Sequence, residues 1–219
     1  MHDNSFLELL RIDGLSDYRE VWELQKSKQA ELIDGKGKEI MLIAQHRPVF
    51  TLGFHGNEAN MKLDDAQLRE RQVELIRIER GGDITFHGPG QIVIYPIISL
   101  WKRNYGVKEY VARLEKAVDH TCNSFGVATF TDEDAPGVWC GDMSFPKKIC
   151  AIGVKVSRGV TMHGLALNVT TDLRWFQSIN PCGFGPNSVT SLEKELGTEN
   201  CPSINDVAET LVSHIKEYL

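Results

Sequence analysis

Residues 80–95, RGGDITFHGPGQIVIY, crowd an arginine, a histidine and four glycines between two strand-like runs. Each glycine adds to the entropy lost when backbone is ordered, so four of them beside strands imply main chain that turns sharply or approaches something closely. The flanking runs, 74–79 (ELIRIE) and 91–98 (QIVIYPII), have the β-branched content of strands. Gly88-Pro89-Gly90 reads as a tight reversal between Thr85-Phe86-His87 and Gln91. Two readings fit these signals: a hairpin with a structural arginine, or a glycine-lined cradle with Arg80 and His87 at its edge.

The remaining periodicities supply strands in the middle of the chain and helices early, centrally and last. Residues 5–12 read as a strand, and Ser16 as the cap of an amphipathic helix reaching about residue 34 and closed by the glycines of 35–37. A buried strand follows at 39–45, then a second run over 46–53 whose Pro48 demands an edge or a preceding bend. A short helix is expected near 64–71. A longer one over 107–125 carries Tyr110, Val111, Leu114, Ala117, Val118 and Cys122 on one face and is closed by Gly126. Short strands at 127–130 and 137–140 lead to a hairpin of 148–156 with 160–169 around Ser157-Arg158-Gly159. One helical turn at 172–177 precedes a Pro- and Gly-rich loop at 179–186. A capping box at Ser203 opens the last helix, with Ile204, Val207, Ala208, Leu211 and Ile215 on its buried face. The fold class is α+β, a mixed and largely antiparallel sheet packed with helices, and residues 1–219 form one domain without linker or repeat.

Charge and cysteine usage narrow the function. With 30 acidic against 24 basic side chains the net charge is −6, which argues against a nucleic-acid partner. The opening residues have the pattern of neither a signal nor a transit peptide, and no apolar run reaches membrane-spanning length, so a cytoplasmic protein is expected. Five cysteines without a Cys-x-x-Cys pair suit neither a disulfide framework nor a zinc knuckle, and no metal-ligand spacing is present.

Cys182 stands in a loop of restricted geometry, after Pro181 and before Gly183, which can project a thiol. Lys148 opens an apolar strand in which alternation sends Lys148, Cys150 and Ile152 to one face, so Cys150 stays open as nucleophile or second thiol. A lysine at a strand end otherwise snorkels to solvent. Lys147, Lys155 and Arg158 offer a basic rim for an acidic partner, or plain solvated charge.

The pattern Arg80-Gly-Gly-x-x-Thr85-x-His87-x-x-Gly90-Gln91-x-x-x-Tyr95, with His46-x-Pro48 through Gly53, Lys148 through Gly153, and Asn180-Pro-Cys-Gly183, resembles the octanoyltransferases. The resemblance implies the fold of the lipoate and biotin protein ligases. It implies transfer of an octanoyl (or lipoyl) group from octanoyl-acyl carrier protein to a lysine of lipoyl domains, the first step of protein lipoylation from endogenous octanoate. Acceptors would be the E2 subunits of 2-oxoacid dehydrogenases and the glycine cleavage H protein. Cys182 would carry a thioester, with Lys148 as general acid/base, first as a cation beside the thiolate and later as a neutral amine. Arg80, Gly81, Gly82, Asp83, Ile84, Thr85, Phe86 and His87 would bind substrate with Ala151, Ile152, Gly153, His163, Gly164, Leu165 and Ala166, their backbone N–H groups serving as oxyanion donors. No cofactor or metal is implied. The rivals are an ATP-dependent lipoate-protein ligase, which needs no protein thiol, and a non-catalytic module that binds the carrier protein.

Overall fold

The computed structural model describes residues 7–180 and 188–219. Among these residues the strands form two sheets. The larger has seven strands, β1 (Glu8–Ser16), β2 (Ile40–His46), β6 (Gln91–Ile97), β10 (Val160–Asn168), β9 (Lys147–Ser157), β8 (Gly137–Cys140) and β7 (Thr129–Thr131), side by side in that order. The smaller has three, β4 (Glu74–Arg77), β3 (Val49–Leu52) and β5 (Ile84–His87). The pairs β1/β2 and β3/β4 are parallel and the others antiparallel, as a mixed, largely antiparallel α+β fold requires.

Central strands of the larger sheet are buried on both faces, which is why they read as continuous apolar runs. On one face, Met41, Ile43, Ile92, Ile94, Leu165 and Leu167 pack with Leu114, Val118 and Cys122 of α4 (Val107–Ser124) and Val207, Leu211 and Ile215 of α6 (Ile204–Tyr218). Alternate residues Ile40, Leu42, Val93 and Ala166 meet Val21 and Leu32 of α1 (Tyr18–Ile33) on the other. Period-2 alternation thus divides each strand between two helical layers. The smaller sheet closes around Phe50, Leu52, Phe86 and Phe176. Short helices α2 (Asp65–Glu70), α3 (Leu100–Arg103) and α5 (Leu192–Leu196) and a 3-10 turn over Leu173–Ser178 complete the connections. No described helix is long and apolar enough to cross a membrane.

Three local expectations change, and a fourth, at Pro48, is met. Asp17, not Ser16, caps α1, its carboxylate accepting from the N–H groups of Arg19 and Glu20. Ser16 instead ends β1, its hydroxyl donating to the Gln45 carbonyl of the neighbouring strand, and the charged Asp17 suits the positive end of the helix better. The run holding Pro48 does follow a bend, but β3 is the centre of its sheet and not an edge. The proline precedes the first paired residue, Val49, so no ladder bond is lost. Residues 85–91 form no hairpin either. β5 pairs with β3, whereas both edges of β6 are taken by β2 and β10, so the Gly88–Gly90 turn carries the chain from one sheet to the other. Gly90 has φ +79°, and a Cβ there would meet the Thr170 backbone at 2.7 Å, which makes glycine mandatory at this crossing.

The third change moves Cys150. Trp139 pairs with Lys148 and Val138 with Cys150, leaving Ile149 as an extra residue on β9. That bulge breaks the alternation on which Lys148 and Cys150 would share a face. Cys150 lies in the core beneath α4 with Tyr110, Leu114 and Cys122, and burial pushes its thiol well above the ordinary range.

Candidate active site

Between the two sheets, under the start of α1, lies a cleft of about 590 Å³. The loop following β4 forms one wall with Arg80, Gly81, Gly82 and Asp83, continued by Ile84, Thr85 and His87 of β5. β9 supplies Lys148, Ala151, Ile152 and Gly153, and β10 supplies His163, Gly164, Leu165 and Ala166. Every described residue expected to act in catalysis or bind substrate therefore lines this cleft except Phe86. That ring is 1% exposed and stacks on Trp175 in the core of the smaller sheet, as alternation between Thr85 and His87 demands. Tyr18, Val93, Tyr95 and Pro136 also line the cleft. Tyr18 was concealed in the sequence by its place in an amphipathic helix, where it reads as core. Cys182 lies outside the described residues.

Close backbone approach explains the cradle. Gly81 N–H donates to Val154 O at 2.9 Å, and a Cβ on Gly153 would sit 2.9 Å from Gly81 O and 3.1 Å from Arg80 Cδ. The buried Arg80 guanidinium donates to Thr51 O at 2.7 Å, Thr51 Oγ1 at 2.9 Å and Gly81 O at 3.0 Å, pinning the loop to β3. Two of the expected oxyanion donors are already committed: Gly81 N–H to Val154, and His163 N–H to Gln25 Oε1 of α1 at 3.0 Å.

Three histidines gather here, and all are buried. His46 Nε2 and Tyr95 Oη are 2.7 Å apart, and His87 Nδ1 faces Gln91 Oε1 at 2.8 Å with its ring stacked on Tyr18. Burial pushes His46 down to about 4 and His163 down to about 3. Burial and then the His46 charge hold His87 well below the ordinary histidine value. All three are neutral near pH 7. His163 has φ +60° within β10, where the alternation of Leu165 and Leu167 is broken. Neither of its ring nitrogens has a hydrogen-bond partner among the described residues.

At the other end of the cleft, Lys148 Nζ donates to Pro136 O at 2.9 Å and lies 4.4 Å from the centre of the Trp139 ring. Lys148 N–H donates to Ser188 O at 2.7 Å, and its carbonyl accepts from Thr190 N–H at 3.0 Å. Asp83 reaches the opposite flank. Its carboxylate accepts from Asn57 N–H at 3.2 Å and from the Asn60 side chain, and Asn60 O accepts from Asn180 N–H at 2.8 Å. The basic rim is already engaged with carboxylates: Lys147 lies 3.9 Å from Glu195, Lys155 3.4 Å from Glu79, and Arg158 4.0 Å from Asp34. Among the described residues no three His, Cys, Asp or Glu side chains are grouped to hold a metal ion.

This architecture is that of the lipoate-attaching enzymes. The structure of lipoate-protein ligase A bound with ATP superposes with a TM-score of 0.73 at 16% identity, covering 97% of this chain and 85% of that one. The bi-partite lipoate protein ligase of Thermoplasma acidophilum gives 0.70 at 16%, covering 97% and 83%; at such identities the likeness is one of fold. Residues 17–216 match the family model of the lipoyl protein ligase A/B catalytic domain, and the chain belongs to that family. Its curated relatives are more particular. The octanoyltransferase of Bacteroides fragilis is 49% identical over 189 residues, covering 84% of this chain and 86% of the relative. That of Christiangramia forsetii is 40% identical over 216 residues, covering 93% and 92%. Within the family the chain is thus a transferase of the octanoyltransferase kind, acting in lipoylation.

Proposed function

We propose that the chain moves an octanoyl (or lipoyl) group from octanoyl-acyl carrier protein to a lysine of lipoyl domains, in the cytoplasm, through a thioester on Cys182 with Lys148 beside it. The acceptors are the E2 subunits of 2-oxoacid dehydrogenases and the glycine cleavage H protein. The supporting observation is where the chain enters and leaves residues 181–187. Asn180 is bonded to Asn60, which Asp83 of the cradle holds, and Ser188 is bonded to Lys148. The two described residues that flank 181–187 are thus both bonded to residues connected with the walls of the cleft.

The Cys182 thiolate attacks the donor thioester carbonyl and the carrier thiolate leaves, so one thioester replaces another at little free-energy cost. An unperturbed thiol near ~8.5 is only a few per cent ionised at neutral pH, and a neighbouring ammonium raises that fraction. In this proposal Lys148, which donates to Pro136 O and lies against the Trp139 ring, supplies that ammonium. The acceptor amine then attacks, an amide forms and the Cys182 thiolate is released. Presenting that amine neutral at pH 7 costs about 4.6 kcal/mol from its ordinary pKa of about 10.4, and in this proposal Lys148, having given its own proton to the departing carrier thiolate, accepts one from the acceptor ammonium, the second amine proton going to solvent as the amide forms. Arg80, Gly82, Asp83, Thr85, His87, Ala151, Gly153, His163 and Ala166 shape the acyl slot, where burying about six methylenes contributes roughly 5 kcal/mol.

The test is transfer from purified octanoyl-acyl carrier protein to a lipoyl domain without nucleotide. Octanoylation of the acceptor is expected. Acceptor modification that requires ATP and free acid would mark a ligase, and carrier binding without transfer a docking module.

A further inference from the structure

The peptide group joining Pro136 to Gly137 is bonded to a charged side chain at each end. Its carbonyl accepts from Lys148 Nζ at 2.9 Å, and its N–H donates to Glu115 Oε1 at 2.9 Å. Glu115 belongs to α4, one turn after Val111, which lines the cleft, and is buried beside an apolar stripe. A carboxylate there is expensive unless something compensates for lost water. Gly137 brings the groups together: its φ is +129°, and a Cβ would lie 2.7 Å from Cys150 O and 3.1 Å from Lys148 Cε, so the lysine stem runs directly over this peptide.

We propose that Glu115 is a positioning residue for Lys148, its carboxylate acting through the 136–137 peptide to fix the ammonium in place and keep it charged. A peptide with a carboxylate on its N–H and an ammonium on its carbonyl is polarised along its length, and each bond strengthens the other. The Trp139 ring covers the ammonium from β8, so the lysine is held by a π face on that strand and a carbonyl just before it, and is steered by a charge from α4. The groups facing Glu115 from neighbouring elements are consistent with this. Burial raises its carboxyl pKa, the Gly137 N–H and the Lys148 cation oppose the rise, and Asp132, beyond β7, adds to it. Cys150, within electrostatic range of both groups from the core side of β9, is held neutral by burial.

The inference rests on the role proposed for Lys148, and the experiment separates the two. Glu115→Gln keeps an oxygen able to accept from Gly137 N–H and removes only the charge. In pH–rate profiles of octanoyl transfer, the alkaline limb of Glu115→Gln is expected to fall about one pH unit below wild type, while Glu115→Asp stays nearer to it. Superimposed wild-type and Gln profiles, with Lys148→Ala inactive, overturn the positioning role alone. Full activity in Lys148→Ala overturns the reading beneath it. A second measurement needs no change at Glu115. Coupling is reciprocal, so in Lys148→Met the Glu115 carboxyl, followed by carbon-13 NMR of labelled glutamate, is expected to titrate about one unit higher than in wild type. An unchanged titration overturns the proposal.

Discussion

Lowering the pH from about 7.5 to about 5 is expected to remove much of the folding stability of this protein, through the histidines around the cleft. His46, His87 and His163 are buried and neutral, with His46 pushed down to about 4 and His163 to about 3. In the unfolded chain each returns to about 6.5 and takes up a proton below that pH, while the folded protein does not. Their contribution is therefore intact above about pH 6.5 and declines as pH falls toward the folded values, at up to about 1.4 kcal/mol per unit for each differential proton. Between pH 7.5 and 5 one such histidine removes about 2 kcal/mol, and three together roughly 5 to 6 before coupling between His46 and His87 is considered. That compares with a total stability of about 5–15 kcal/mol for an ordinary domain. Glu115 works in the opposite sense, since burial raises its carboxyl and the folded state binds a proton there more readily. Urea unfolding at both pH values, with wild type and His46→Gln, measures the effect. The variant's stability should depend on pH less steeply, by close to one proton between pH 6 and 5. Equal wild-type stability at the two pH values, within about 1 kcal/mol, would refute the reasoning.

Gly153→Ala should cost roughly 1–3 kcal/mol and depress transfer further, because its methyl would meet Gly81 O at 2.9 Å and push the Arg80 loop off β9; differential scanning calorimetry and the transfer assay read the two effects. Cys150→Ala should keep transfer activity while losing on the order of 1 kcal/mol of packing. Alkylation of the native protein, mapped by peptide mass, should spare the fully buried Cys122 and Cys150.

Much of this architecture was legible because it is local. The apolar runs flanking Ser157-Arg158-Gly159 gave the β9/β10 hairpin, and the stripe from Tyr110 to Cys122 gave α4, each from a period and a terminator within one segment. What stayed hidden depended on distant pairing. β5 and β6 look like a hairpin because only a short turn separates them, yet the partner of β5 is β3 and those of β6 are β2 and β10. The Ile149 bulge has no signature of its own in KKICAIG, and it alone moves Cys150 out of reach of the cleft. Tyr18 and Glu115 were unreadable for the same reason: each sits on an amphipathic helix, and its partners come from strands far along the chain. Phe86 was within reach of plain alternation, which separates it from Thr85 and His87.

The most direct measurement is the site of the acyl group. Wild-type protein, briefly exposed to octanoyl-acyl carrier protein without acceptor, is quenched in acid, digested and mapped by peptide mass. The octanoyl mass on the peptide containing Cys182, labile to hydroxylamine and absent from Cys182→Ser, is the expected result. The same mass on Cys150 or on a lysine, or none while transfer to the acceptor proceeds, would contradict it.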